Sequence, residues 1–354
     1  MTVATQPTLA ECLSAVLTVA GSDLLISAGT PPRVRRDGVL EPLFQATDSL
    51  TPHDTELMVR EALGIDQWEQ LVRDRSLDFA FTFQDRVRMR GNAYFQRGSV
   101  AGAFRVLPLQ IPGFEHLGVP ESVQELIGRR QGLVLVTGPT GSGKSTTQAA
   151  MIDHINRTRA CHIVTIEDPI EYVHRHQNAI VDQRQVGSDV GTFADALRAV
   201  FREDPDVVLI GEMRDLETIS SALTIAETGH LVLATLHTND SAQAIDRILD
   251  GFPAAHQQQV RIQLAACLAG VIYQQLLPVI GGGRVAAFEV LVATTGIKAL
   301  IKEGKTNQIR NAVQTGLRDG SQTLERSLSE LLRSGMISER EARTRSLYPQ
   351  EVAF

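Results

Sequence analysis

Leu133-Val134-Leu135-Val136, then Gly138-Pro139-Thr140-Gly141-Ser142-Gly143-Lys144-Ser145-Thr146, then Thr147-Gln148-Ala149-Ala150 form an apolar run, a glycine-rich turn ending in Lys-Ser, and a helix-compatible stretch. Gly-x-x-x-x-Gly-Lys-Ser in a strand-to-helix context is a P-loop. Glycines let the main chain wrap closely around phosphate with its N–H groups turned inward. The helix N-terminus adds partial positive charge at the same place. The pattern assigns Lys144 to the β- and γ-phosphates as a mobile point charge and the Ser145 hydroxyl to magnesium. ATP and Mg2+ are therefore the expected ligands, held by residues 138–146.

Downstream, apolar runs recur at Ile163-Val164-Thr165-Ile166, Val207-Val208-Leu209-Ile210 and Leu231-Val232-Leu233-Ala234, separated by helical stretches. Continuous rather than alternating apolarity predicts strands covered on both faces, hence a mainly parallel sheet wrapped by helices. Thr192 followed by Asp195 resembles a capping box, and Phe193, Leu197, Val200 and Phe201 share one helical face. Residues of about 256 to 277 and 296 to 335 read as mostly helical, the latter broken near Gly304, Gly316, Gly320 and Gly335. The charged tail beyond Gly335 gives no packing pattern.

Upstream, Leu9, Cys12, Leu13, Val16, Leu17 and Ala20 fall at helical spacing. Strands are predicted at 23–27, 33–39 and 77–83, with a helical stretch at about 54 to 73 before the last. Its alternation, Leu77-Asp78-Phe79-Ala80-Phe81, implies one wet face. Asp85 is read as a turn into an antiparallel pair, 88–95 and 98–106. Short strands with a few helices predict a small α+β domain over residues 1–107. Pro108, Pro112 and Gly113 mark a linker at 108–118, with a short helix near 120–128 opening an α/β domain that spans 119–354.

The chain of 354 residues has room for two domains. Its formal charge of -7 argues against a nucleic-acid binder, whose affinity comes mainly from neutralised phosphates. Cys12, Cys161 and Cys267 are odd in number and far apart, which suits a reducing compartment and excludes a disulfide framework. No signal-peptide pattern and no membrane-spanning apolar run is present, so the expected location is cytoplasmic, with membrane contact made through a partner.

Acids cluster after two of the strands, where doubly wound sheets bind ligands. Glu167-Asp168-Pro169-Ile170-Glu171 follows the 163–166 strand, and Gly211-Glu212 follows 207–210. A P-loop hydrolase needs a carboxylate to orient water or hold magnesium, and Glu212 is the preferred general base over Glu167. Asp206, which begins its strand, does not stand in the usual acid position. Asp168 and Glu171 are either further acids of the site or a solvated turn. His230 and His237 bracket the 231–236 strand, as structural residues or as sensors of the γ-phosphate. His174 and His176 read as a solvated loop. Arg88 and Arg90 project from one face of their strand, either as exposed surface or as arginine fingers for a neighbouring subunit.

Taken together, Gly138 to Thr146, Thr165 to Tyr172, Arg202-Glu203-Asp204-Pro205-Asp206 leading to Gly211-Glu212-Met213-Arg214-Asp215, and Thr228-Gly229-His230 through Asn239 resemble the secretion ATPase superfamily of type II secretion and type IV pili. In that family these are the Walker A, Asp box, Walker B and His box. Similarity runs from Ser22-Asp23-Leu24 to about residue 335, with Leu25 where the family commonly has histidine. The retraction branch is the better match. Extension and type II secretion ATPases usually carry a paired-cysteine zinc module after the segment equivalent to Gln274-Gln275-Leu276-Leu277-Pro278, whereas here Val279-Ile280-Gly281-Gly282-Gly283 follows. Gly296 to Glu303 is similar to the retraction motif Ala-Ile-Arg-Asn-Leu-Ile-Arg-Glu.

The resemblance implies a RecA-like P-loop ATPase domain preceded by a small α+β, PAS-like domain, assembled as a homohexamer. Arg88, Arg90 and Asn92 match a family segment that reaches toward nucleotide. It further implies an inner-membrane pilus platform protein as partner, a paralogous retraction ATPase as a possible companion, and peripheral attachment to the inner membrane through the pilus machine. The competing readings are an extension or type II secretion ATPase, a nucleotide-gated binding module without rapid turnover, and a DNA translocase, which needs a basic channel.

Overall fold

Thr8 opens the first helix, α1 (Leu9–Thr18): its side chain accepts from the Glu11 N–H, and Glu11 reaches back to the Thr8 N–H. This capping box satisfies two N-terminal donors at once. The computed structural model describes residues 6–36, 38–44, 48–84, 87–107 and 110–353. Contacts divide the chain into two units, residues 1–110 with 171–173, and residues 111–170 with 174–354.

In the first unit α1 is followed by β1 (Asp23–Ile26), β2 (Arg33–Arg36), β3 (Val39–Pro42), α2 (Pro52–Ala62), α3 (Ile65–Asp74), β4 (Ser76–Phe83), β5 (Val87–Gln96) and β6 (Ser99–Val106). Among the described residues the strands make a six-stranded sheet of order β3-β2-β1-β6-β5-β4, antiparallel throughout. Two expectations are corrected. The single strand expected at 33–39 is two antiparallel strands in which Arg36 pairs with Val39, and Gly38 takes φ 83°, a conformation that favours glycine. Asp37 lies outside the described residues, as does the turn residue Asp85. The helix expected at 54–73 is two helices, since Gly64 caps the second. Leu77 and Phe79 of β4 are buried while Ser76 and Asp78 are exposed, so that strand has its expected wet face. Beneath it lie Leu13, Val16, Leu24, Met58, Leu71, Met89 and Phe104, the unit's own core.

The second unit runs α4 (Phe114–Leu117), α5 (Glu121–Ile127), β7 (Gly132–Thr137), α6 (Lys144–Thr158), β8 (His162–Glu167), β9 (Ile180–Gln185), α7 (Phe193–Val200), β10 (Val207–Ile210) and α8 (Leu216–Glu227). It continues with β11 (Leu231–Leu236), α9 (Ser241–Asp250), α10 (Ala254–Cys267), β12 (Leu268–Pro278), β13 (Arg284–Val292), α11 (Thr295–Lys302), α12 (Ile309–Thr315), α13 (Leu324–Arg333) and α14 (Glu339–Arg345). Within the stretch expected to be linker, Pro108 lies outside the described residues, and Phe114 of α4 is buried. Among the described residues a seven-stranded sheet has the order β13-β12-β7-β11-β10-β8-β9, parallel except for the antiparallel edge strand β13.

Alternate residues of β7 explain why an unbroken apolar run was required. Leu133 and Leu135 join a core with α7 to α12, and Val134 and Val136 join another with α5 and α6. Each such burial contributes about 1.5–3 kcal/mol relative to an exposed side chain. The mostly parallel α/β architecture is the one expected.

The helical reading of 256–277 is corrected: α10 stops at Cys267, and Leu268–Pro278 is a strand beside β7. A short apolar run covered on both faces suits either period, and here the β-branched and aromatic Val271-Ile272-Tyr273 favours the sheet. Strands β9 and β13 are additions that the sequence reading did not assign. The tail also finds a place, Ile337, Ala342 and Val352 clustering with Tyr273, Leu277, Leu324 and Leu328. Phe201 departs from the expected buried face of α7, being 44% exposed with its ring edge-on to His230.

Candidate active site

Parallel pairing in register brings Thr137, Leu236, Ile210 and Glu167 to one edge of the sheet, where the P-loop begins. Gly138, Gly141 and Gly143 have φ of 146°, 79° and 90°. At Gly138 a Cβ would lie 2.3 Å from the Gln274 carbonyl oxygen, and at Gly143 2.8 Å from Gln274 Nε2, so both conformation and space demand glycine. Gly141 has nothing within 4 Å of that direction. Gly143 leads into α6, which has no acid in its first turn to repel an anion. The first-turn N–H groups of any helix lack carbonyl partners within it. Pro139, Thr140 and Ser145 are exposed, Thr146 is half-buried, and the Ser142 side chain is buried.

Lys144 Nζ donates to the carbonyls of Gly138 at 2.9 Å and Pro139 at 3.0 Å. It also lies 3.5 Å from His237 Nδ1. The other nitrogen of His237 lies 3.2 Å from Glu212 Oε1. Since an ammonium only donates, Nδ1 accepts from Lys144 and Nε2 carries the hydrogen toward the carboxylate. Arg214 Nη2 holds the second oxygen of Glu212 at 2.7 Å. Burial pushes the Glu212 carboxyl up, but the Arg214 hydrogen bond and charge, with His237 and Lys144, outweigh it and leave the group below its ordinary value.

Backbone and hydroxyl ties fix this arrangement. Thr235 Oγ1 donates to the Gly211 carbonyl, and Met213 N–H donates to the Thr235 carbonyl at 3.0 Å, so Glu212 is gripped on both sides by β11. Thr137 and Thr238 hydroxyls, 2.6 Å apart, tie the root of the P-loop to the residue after His237. Glu167 ends β8 and accepts from the Thr165 hydroxyl at 2.7 Å and from Gln183 at 3.1 Å. Asp168 is exposed and adds negative charge beside Arg214. Glu171 is half-buried. Asp206 is structural, taking the His162 N–H at 2.9 Å.

The geometry separates the two histidines. His237 follows β11 and meets the P-loop lysine. His230 precedes β11 at the opposite sheet edge, where its Nδ1 lies 3.1 Å from both Thr228 Oγ1 and the Ile225 carbonyl. A six-residue strand separates them, about 20 Å, so the structure does not bring His230 to the P-loop. The reading of 174 and 176 as a solvated loop holds for His176, which is exposed with its Nδ1 accepting from Val181 N–H at 3.0 Å, and is corrected for His174, whose ring is buried enough to push its pKa down to about 4. In the first unit, Arg88, Arg90 and Asn92 do share a face of β5, opposite the buried Met89 and Ala93. Arg90 is exposed, Arg88 donates to Thr82 Oγ1 at 3.3 Å, and Asn92 donates to Asp78 at 3.1 Å.

Gln274, Thr147 and Arg214 were given no role by the sequence reading. The legible signal for Gln274 is the glutamine pair Gln274-Gln275 inside an apolar run, because a buried amide needs partners.

The donor set fits a nucleoside polyphosphate: an amide-lined turn that excludes side chains, a lysine, and no first-turn acid. The family model for type II/IV secretion system proteins matches residues 33–282. The chain belongs to this family. It is 44% identical over 342 residues to the type IV pilus retraction ATPase PilT of Pseudomonas aeruginosa, covering 97% of this chain and 99% of that one. A twitching motility protein of Neisseria gonorrhoeae is 45% identical, across 84% of this chain and 80% of its own length. The crystal structure of the pilus retraction motor PilT with bound ADP superposes with a TM-score of 0.92 at 48% identity, covering 98% of both chains. The P-loop domain of this secretion ATPase is thus a nucleotide-binding α/β domain. Among the described residues no helix is long and apolar enough to cross a membrane.

Proposed function

We propose that this protein is a motor that hydrolyses ATP to power type IV pilus retraction. The observation that carries the reading is the Lys144–His237–Glu212 chain, with contacts of 3.5 and 3.2 Å, at the mouth of the P-loop. ATP supplies the phosphoryl group that water attacks. Residues 138–146 hold the phosphates by main-chain N–H groups, with Lys144 swinging from the loop carbonyls to the terminal phosphates. Ser145, with Glu167 acting through water, would hold Mg2+, which would supply charge neutralisation at the phosphates, and Glu212 orients the attacking water. His237 couples Glu212 to Lys144, so loss of the terminal phosphate is felt at both. Arg88 and Arg90 serve as arginine fingers for a neighbouring subunit of a homohexamer. The ring works in the cytoplasm against an inner-membrane platform protein, alone or with a paralogous retraction ATPase.

Retraction is favoured over extension or type II secretion because the segment 279–283 closes the β12–β13 hairpin with glycines and carries no cysteine pair. Steady-state phosphate release with Mg-ATP tests the enzyme: Glu212→Gln should lower turnover by about 10²–10⁴-fold while ATP still binds, and Lys144→Ala should abolish binding in calorimetry. Unchanged turnover in Glu212→Gln would remove that residue from the reaction. A deletion strain with excess surface pili supports retraction, and one without pili assigns the protein to extension.

A further inference from the structure

We infer that Gln274 is a positioning residue for phosphate binding, setting the direction in which the P-loop amides point. The inference rests on the nucleotide-hydrolysing reading above and adds a residue outside the P-loop and the strand-end acids. Gln274 lies on β12 with 2% of its surface exposed. Its Nε2 donates to the Ser142 carbonyl at 2.8 Å, and its Oε1 accepts from the Thr147 hydroxyl at 2.7 Å. Only one orientation of the amide serves both, because a carbonyl cannot donate and Oε1 cannot give a hydrogen to Ser142.

The first contact matters because of peptide geometry. In a trans peptide unit the carbonyl and the following N–H point in opposite directions. Drawing the Ser142 carbonyl out toward β12 therefore turns the Gly143 N–H the other way, into the concave side of the loop. The second contact fixes the first turn of α6 to the same side chain, so the loop and the helix N-terminus share one anchor. Close approach completes the clamp at one position: Nε2 fills the space a Gly143 side chain would need, while the same space at Gly138 is taken by the main-chain carbonyl of Gln274, which any substitution there retains. A preset array of donors saves reorganisation when an anion arrives, and that saving appears as affinity.

The experiment compares the full-length protein with Gln274→Met, which keeps the volume and loses both hydrogen bonds, and Gln274→Glu, which keeps the acceptor for Thr147 but loses the donor to Ser142. ADP and ATP dissociation constants, KM, kcat and the thermal midpoint without nucleotide are measured for each. Gln274→Met should weaken ADP binding by roughly tenfold or more and raise KM, with some fall in the nucleotide-free thermal midpoint because the Ser142 carbonyl and Thr147 hydroxyl lose their buried partner. Gln274→Glu should also weaken binding, with Thr147→Val affected less than Gln274→Met. If Gln274→Met fails to fold, Gln274→Glu alone decides. Parental nucleotide affinity and KM in a folded variant would overturn the inference, as would a loss in midpoint with no loss in affinity. Failure of the parent protein itself to bind ATP would instead overturn the nucleotide-hydrolysing reading.

Discussion

Glu212 carries two partners that pull it in the same direction. Arg214 at 2.7 Å and His237 at 3.2 Å both favour the ionised carboxylate, and they overcome a burial cost that acts the other way. A carboxylate held below its ordinary value of 4.5 is always charged at neutral pH and a weak acceptor of a full proton. That charge state is the one the proposed role of aiming water by hydrogen bond requires. Hydrolysis should accordingly show no inflection from Glu212 near neutrality, its acid limb lying below 4.5. Arg214→Ala should move that limb upward, visible in kcat/KM measured against pH. A limb that stays where the parent has it would deny Arg214 its influence on the carboxylate.

At the scale of elements, β13 brings a second carboxylate into the interior. Glu289 is 6% exposed and accepts from the Ser241 N–H at 2.9 Å and hydroxyl at 2.5 Å, at the start of α9. Burial pushes its carboxyl up, against the lowering effect of both Ser241 bonds. An acid whose folded pKa lies above its unfolded one is bound to its proton more tightly when folded. Stability is then greatest below the ordinary value of 4.5 and declines as pH rises from there through the folded pKa. Glu289→Gln keeps an acceptor for Ser241 and cannot ionise. Its denaturation midpoint should therefore gain on that of the parent as pH rises from acid to neutral, and parallel midpoints would mean that Glu289 titrates normally. The α9 helix directly follows His237-Thr238-Asn239-Asp240, so this buried acid braces the element next to the nucleotide site. None of that was visible in sequence, where Glu289 is one acid among apolar neighbours and its hydrogen-bond donors come from 48 residues away.

For the whole molecule, the likeness to PilT extends over 97% of the chain, so assembly is the next question. If Arg88 and Arg90 act on a neighbouring subunit's nucleotide, mixing an Arg88→Ala, Arg90→Ala double variant with a Lys144→Ala variant, each inactive alone, should restore part of the ATPase activity, because some intact P-loops then face intact arginines across an interface. Mixed rings that stay inactive would confine both arginines to their own subunit. The P-loop, the parallel strands and the Glu212 position were legible in the sequence because each is local: a motif, a run of apolar residues, an acid two residues past a strand's end. The β12 strand was not, because an apolar stretch buried on both faces carries no period of its own and only its place beside β7 makes it a strand. His230 and His237 looked equivalent in sequence, flanking one strand alike. The parallel direction of the sheet decided between them, since it gathers the ends of β7, β10 and β11 on one edge and leaves the starts on the other. The sequence by itself thus determined the phosphate-binding chemistry and the class of fold. Which side chains meet around it, Gln274 above all, was decided only by tertiary pairing, because hydrogen bonds between residues more than a hundred positions apart exist only once the sheet has formed.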